Sequence, residues 1–158
     1  MFAMETHRRT DMTIRADLSD ARRASEWLES TALAESVPMD RIVRLDHCLD
    51  EALANVIKHG GPTAQASPVR LQLGVRRSRD ACVAELSVID AGMAFDPSVA
   101  HPDGTPRPAS LAEAKPGGLG LLMIRKLSDN LIYYRSEGCN HLTIAVSWTE
   151  SVETAEQR

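Results

Sequence analysis

The chain has 158 residues, 43% of them hydrophobic and 25% charged, which suits one globular domain able to bury about two thirds of its unfolded surface. A formal net charge of -4 excludes the broad basic footprint that nucleic acid or an anionic membrane surface requires, and aromatics at 4% leave little material for base-stacking platforms. Cys48, Cys82 and Cys139 lack metal-ligand spacing and read as reduced, buried thiols, and no stretch approaches the ~18 apolar residues of a membrane span, so a soluble cytoplasmic protein is expected.

Residues 12–16 alternate as a strand, after which Ser19-Asp20 offer an N-cap to a helix carrying Ala21, Ala24, Trp27 and Leu28 that frays near Val37-Pro38. Asp40 is placed to cap a second helix over 41–59, stopped by Gly60-Gly61-Pro62. Residues 69–75 and 82–89 alternate on either side of a polar turn, the pattern of an antiparallel hairpin. Five of the eight prolines then fall between Pro97 and Pro116, so residues 97–117 are expected to form a lid. Gly117-Gly118-Leu119-Gly120 opens a helix to about Asp129, followed by strands over 130–135 and 141–148 that turn at Glu137-Gly138. The last residues, 149–158, read as a polar tail. Strands joined mostly as hairpins, with helices not interleaved one per strand, predict an α+β fold. The expected architecture is a two-layer sandwich, a mixed, mostly antiparallel sheet with helices on one face, forming a single domain over 1–158 with its core at about 10–148.

Three segments carry chemistry. On the second helix, Leu45, Leu49, Leu53 and Val56 fall on one face, and Glu51, Asn55, Lys58 and His59 on the opposite one. A carboxylate there can deprotonate a hydroxyl, an amide oxygen one turn on can ligate Mg²⁺, and the two cationic residues can face phosphates. Taken alone, the same face reads as the solvated side of an amphipathic helix, and His59 equally as a complement to the helix dipole. Asp90 ends a strand, where a carboxylate can accept from the exocyclic amine of a base while Gly92 admits close backbone approach; a plain strand-to-turn junction fits as well. The glycines at 117, 118 and 120 free backbone N–H groups at a helix start, where phosphate oxygens can be cradled. GxxxxGK[ST], GxGxxG, HExxH and GxSxG are absent.

In this order, with a lid between the last two, the segments resemble those of the GHKL, or Bergerat-fold, ATPases. Glu51-x-x-x-Asn55 is similar to the family's N box, Asp90-x-Gly92 to its G1 box, and Gly117-Gly118-Leu119-Gly120-Leu121 to its G2 box. Leu142-Thr143-Ile144 resembles the strand whose threonine, with the G1 aspartate, holds adenine. The run from Glu51 into His59-Gly60, with Phe95-Asp96-Pro97, is most similar to the anti-sigma-factor serine kinases of bacterial partner switching. Ala94 departs from the second G1 glycine of many members, and the proline-rich stretch 103–108 is not part of the motif.

The resemblance implies ATP and Mg²⁺ as cofactors, with Asp90, Gly92 and Thr143 around the base, Phe95 among the cofactor-binding residues and Asn55 at the metal. Lys58, His59, Lys115 and the segment Gly117, Gly118, Leu119, Gly120 and Leu121 would face the phosphates, and Glu51 would be the general base. Arg107 is a further lid candidate. It also implies a sigma factor and a STAS-domain anti-anti-sigma factor as partners, and a homodimer. Two other readings stand beside it: the ATP-binding domain of a sensor histidine kinase acting in trans, and a non-catalytic, nucleotide-dependent binding module.

Overall fold

The computed structural model describes residues 5–94 and 119–150. In chain order these form β1 (Thr6–Ile14), α1 (Leu18–Ala34), α2 (Met39–His59), α3 (Gly61–Ala66), β2 (Val69–Arg77), β3 (Cys82–Asp90), α4 (Leu119–Leu127), β4 (Asn130–Ser136) and β5 (Cys139–Trp148). The lid and most of the tail lie outside the described residues.

The strands make one sheet in the order β1-β2-β3-β5-β4. Among the described residues every pairing is antiparallel, in keeping with the mostly antiparallel sheet expected. The β2–β3 hairpin stands where the alternation placed it. Ser136 and Cys139 pair across a two-residue turn in which Glu137 and Gly138 both take positive φ, 51° and 76°, matching the twist of the flanking strands.

The pleat explains the layering. Val69, Leu71, Leu73 and Val75 of β2, Cys82, Ala84, Leu86 and Val88 of β3, and Ile144, Val146 and Trp148 of β5 are buried with helix residues in one core. α1 contributes Ala24, Leu28 and Ala32 to it, and α2 contributes Ile42, Leu45, Leu49 and Leu53. The helices therefore cover one face of the sheet, as expected of the α+β class. Low aromatic content leaves the core to aliphatic side chains, with Trp148 packed at its margin, where the Arg77 guanidinium lies 5.6 Å from the ring centroid. Trp27 is half-buried against the same core. Cys48 and Cys82 are buried free thiols, whereas Cys139 is only half-buried in the β4–β5 turn.

Several boundaries differ from expectation, each for a local reason. β1 starts at Thr6, not residue 12, because pairing with β2 carries an edge strand whose outer residues are polar and exposed. The N-cap of α1 is Asp17, which accepts from the Asp20 N–H at 2.8 Å. Asp20 instead turns back on the Arg15 N–H at 2.7 Å, which, with Arg23, holds its carboxyl below the usual range. α1 ends at Ala34, and Val37 is core. α2 starts at Met39 without a side-chain cap, so Asp40 lies inside its first turn, paired with Arg41. The Gly60-Gly61-Pro62 stop is followed at once by α3: Gly61 at φ 75° redirects the chain, and Pro62 occupies the first turn, where it sacrifices no hydrogen bond. Among the described residues no helix is long and apolar enough to cross a membrane.

Candidate functional site

The two faces of α2 separate as the 3.6-residue period requires. Leu45, Leu49, Leu53 and Val56 are 0%, 0%, 1% and 8% exposed, while Glu51 and Asn55 are half-buried and Lys58 and His59 exposed in the last turn. Glu51 and Asn55 are 40° apart on the helix wheel at 100° per residue, so they share a line of sight.

The end of β3 meets the end of α2 through two glycines. The Met93 N–H donates to the Gly60 carbonyl at 3.1 Å. A Cβ on Gly92 would lie 2.9 Å from the Gly60 Cα and 2.8 Å from Asp90 Oδ1, and one on Gly60 would lie 2.4 Å from the Val56 carbonyl oxygen. A side chain on Gly92 therefore has no room against Gly60, while Gly60 itself is confined by Val56 and Ala64. Asp90, buried at 8% exposure, is thereby held beside the C-terminus of α2. Its Oδ1 accepts from the Gly92 N–H at 2.8 Å and from Asn140 Nδ2 at 3.1 Å. Among the described residues, Oδ2 receives no hydrogen bond.

α4 reaches α2 from the other side. Arg44 Nε donates to the Leu127 carbonyl at 2.7 Å, and the Cys48 thiol contacts the Ile124 carbonyl at 3.9 Å. Four residues forward along α2 match three back along α4, so the helices run antiparallel, with the start of α4 directed toward the C-terminal half of α2. The first turn of α4, opening at Leu119 and including Gly120 and Leu121, presents backbone N–H groups that have no acceptor within the helix. Phe95, Arg107, Lys115, Gly117 and Gly118 lie outside the described residues.

The seam between these helices is electrostatically set. Burial pushes the Cys48 thiol up to about 12, against a smaller opposing pull from Arg44, so this cysteine is inert near neutrality. Arg44 also binds Asp129 at 3.1 Å, and Asp129 accepts from the Ser147 N–H at 2.8 Å. Desolvation raises the Asp129 carboxyl, but the Ser147 N–H and Arg44 outweigh it and leave the group below the usual range.

One expected site residue is misplaced. Thr143 pairs with Ser87 in register, its Oγ1 2.9 Å from Ser87 Oγ, on the sheet face away from the helices. The β5 residue opposite Asp90 is Asn140, an odd three positions from Thr143 and therefore on the other side of the pleat. Asn140, buried at 5% exposure, is the functional candidate that sequence reading missed. Its period-2 relation to the core residues Ile144 and Val146 was the available signal.

Comparison with known proteins adds the following. A family model described as "Histidine kinase-like ATPase domain" matches residues 14–146. The chain is 36% identical over 124 residues to the serine/threonine-protein kinase BtrW of Bordetella bronchiseptica, covering 78% of this chain and 83% of that one. Its fold is similar to the crystal structure of the RsbU and RsbW domains of Rv1364c from Mycobacterium tuberculosis, with a TM-score of 0.58 at 16% identity. That match covers 87% of this chain but only 32% of the longer mycobacterial one.

Proposed function

Because the chain belongs to the histidine kinase-like ATPase family, we propose that it is an ATP-dependent protein serine kinase that also acts as an anti-sigma factor, the two activities alternating between partners. The observation that carries this reading is the convergence on α2. Asp90 and Gly92 close on its end at Gly60, and α4 packs antiparallel along it through Arg44–Leu127 and Cys48–Ile124, with its N-terminus directed toward the half of α2 that bears Glu51 and Asn55.

The residues present fit an adenine nucleotide and a divalent cation. The Oδ2 of Asp90, without a hydrogen bond among the described residues, is an acceptor suited to an exocyclic amine, and the first-turn N–H groups of α4, which have no acceptor within the helix, suit phosphate oxygens. Gly117 and Gly118 extend that role, and Phe95 and Lys115 are assigned to the same nucleotide site. The Asn55 side-chain oxygen is the proposed metal ligand, with Lys58 and His59 toward the phosphates. ATP would supply the phosphoryl group, and a divalent cation held by Asn55 would supply charge neutralisation at its phosphates. Glu51 accepts the proton of a serine hydroxyl as its oxygen bonds to the γ-phosphorus and the bond to the ADP oxygen breaks.

The proposed substrate is a STAS-domain anti-anti-sigma factor, which competes with a sigma factor for the kinase. A phosphoserine adds about 1.5 to 2 negative charges at pH 7, enough to break a tight interface and return the kinase to the sigma factor. The kinase name of the Bordetella relative supports the catalytic half of this reading. A homodimer is proposed with it, and β1, paired only to β2 among the described residues, offers an edge.

The test incubates the purified chain with labelled ATP, Mg²⁺ and the STAS-domain and sigma proteins encoded nearby. An acid-stable phosphate on the STAS protein, and co-purification of a sigma factor released by its unphosphorylated form, are expected. An acid-labile phosphate would point to histidine transfer. Absence of any thermal stabilisation by saturating Mg-ATP, where about 2.7 kcal/mol is expected at a hundredfold excess over Kd, would overturn nucleotide use itself.

A further inference from the structure

A polar row crosses three strands on the helix side of the sheet. Asp90 of β3 stands opposite Asn140 of β5, which stands opposite Arg135 of β4. Asn140 Nδ2 donates to Asp90 Oδ1 at 3.1 Å and to the Met93 carbonyl at 2.8 Å. Its Oδ1 accepts from the Tyr133 hydroxyl at 2.6 Å and from Arg135 Nη1 at 2.9 Å. The same Arg135 nitrogen donates to the Gly92 carbonyl at 3.0 Å.

The donor inventory settles which way the amide points. A guanidinium has only donors, so the Asn140 atom facing Arg135 must be the oxygen, and the NH₂ must face Asp90 and the loop carbonyls. Arg135 thus holds the amide, the amide holds one carboxylate oxygen of Asp90, and both hold the loop after β3. Asp90 is left with one defined acceptor, Oδ2, in a defined plane.

We propose that Asn140 and Arg135 are positioning residues that set the base selectivity of the nucleotide site, making it accept a 6-amino purine and reject a 6-oxo one. The inference rests on the nucleotide reading above and names what enforces it in this chain. A fixed acceptor rewards an amine, whereas a carbonyl at the same position meets it lone pair to lone pair. Once Asp90 can rotate, water enters between carboxylate and base, and the distinction weakens.

The experiment is calorimetric titration of the whole chain with Mg-ATP and with Mg-ITP, for the wild type, Arg135→Met, Arg135→Lys and Asn140→Ala, with melting curves for each. Arg135 is exposed, so its variants are expected to fold even if Asn140→Ala does not. The wild type should prefer ATP strongly. Arg135→Met should raise the Kd for ATP about tenfold while leaving that for ITP within about twofold, and Arg135→Lys should recover part of the ratio. Equal weakening toward both nucleotides would make the row merely structural, and an unchanged ratio would give it no part in recognition; either result overturns the proposal while nucleotide binding stands. A wild type that binds both nucleotides equally also overturns it. Binding of neither would refute the nucleotide reading and this inference together.

Discussion

The glycine contact between α2 and the loop after β3 can be tested by adding one carbon. In Gly92→Ala the new Cβ would sit 2.9 Å from the Gly60 Cα, 3.1 Å from its carbonyl oxygen and 2.8 Å from Asp90 Oδ1. The first two are backbone at a helix end and cannot swing away. The third is tied down by the Gly92 N–H and by Asn140. The loop must therefore lift, at a cost typical of overpacking, about 1–3 kcal/mol, which in a chain of this size lowers Tm by about 3–10 °C. Lifting it also moves the Asp90 carboxylate, so Mg-ATP affinity should fall more than tenfold. Gly138→Ala is the matched control: its φ of 76° charges about 1 kcal/mol of backbone strain, but its Cβ meets nothing within 4 Å and it lies in a turn. Scanning calorimetry and nucleotide titration of both variants decide the matter. Wild-type Tm and wild-type affinity in Gly92→Ala would refute the close contact and its bearing on Asp90.

Further expectations follow from the same geometry. Glu51→Ala should slow phosphoryl transfer to the substrate by about 10²–10⁴ with nucleotide affinity near wild type, as read by single-turnover assay and titration; transfer at the wild-type rate would remove Glu51 as base. Asn55→Ala should weaken nucleotide binding in Mg²⁺ and have little effect in EDTA. Asp129 titrates below its unfolded value when folded, so its stabilisation is present above about pH 4 and is lost as pH falls through its folded value. The Tm gap between wild type and Asp129→Asn should therefore be open at pH 7 and close in acid. Cys48 has the opposite sense: its folded value of about 12 exceeds that of the unfolded thiol, so the unfolded chain sheds the proton first as pH rises. The stability advantage of wild type over Cys48→Ala should shrink between pH 9 and 12 in thermal melts.

Local order along the chain was enough to read α2 and its two faces, the β2–β3 hairpin, the β4–β5 turn and the α+β class, because the 3.6 and 2.0 periods and turn residues act over neighbouring positions. The same locality explains the errors. Gly60-Gly61-Pro62 carries stop signals that cannot reveal whether the chain leaves the helix for a strand or, with Gly61 at positive φ, for the six residues of α3. Motif likeness gives Thr143 to the base, yet pairing of β5 with β3 puts Ser87, not Asp90, opposite it. One odd step along a strand reverses the face, and register is decided by the partner strand and by the core that both must bury. For the same reason the row Asp90, Asn140 and Arg135 could not be read from sequence: Arg135 and Asn140 are five residues apart across the β4–β5 turn, but Asp90 lies fifty residues from Asn140 and joins them only when β3 pairs with β5. What the sequence by itself determined was which residue types and helix faces were available; which of them share a cleft was decided by tertiary structure, since strand pairing, the Gly60–Gly92 approach and the antiparallel seat of α4 on α2 are contacts between segments that no local period encodes.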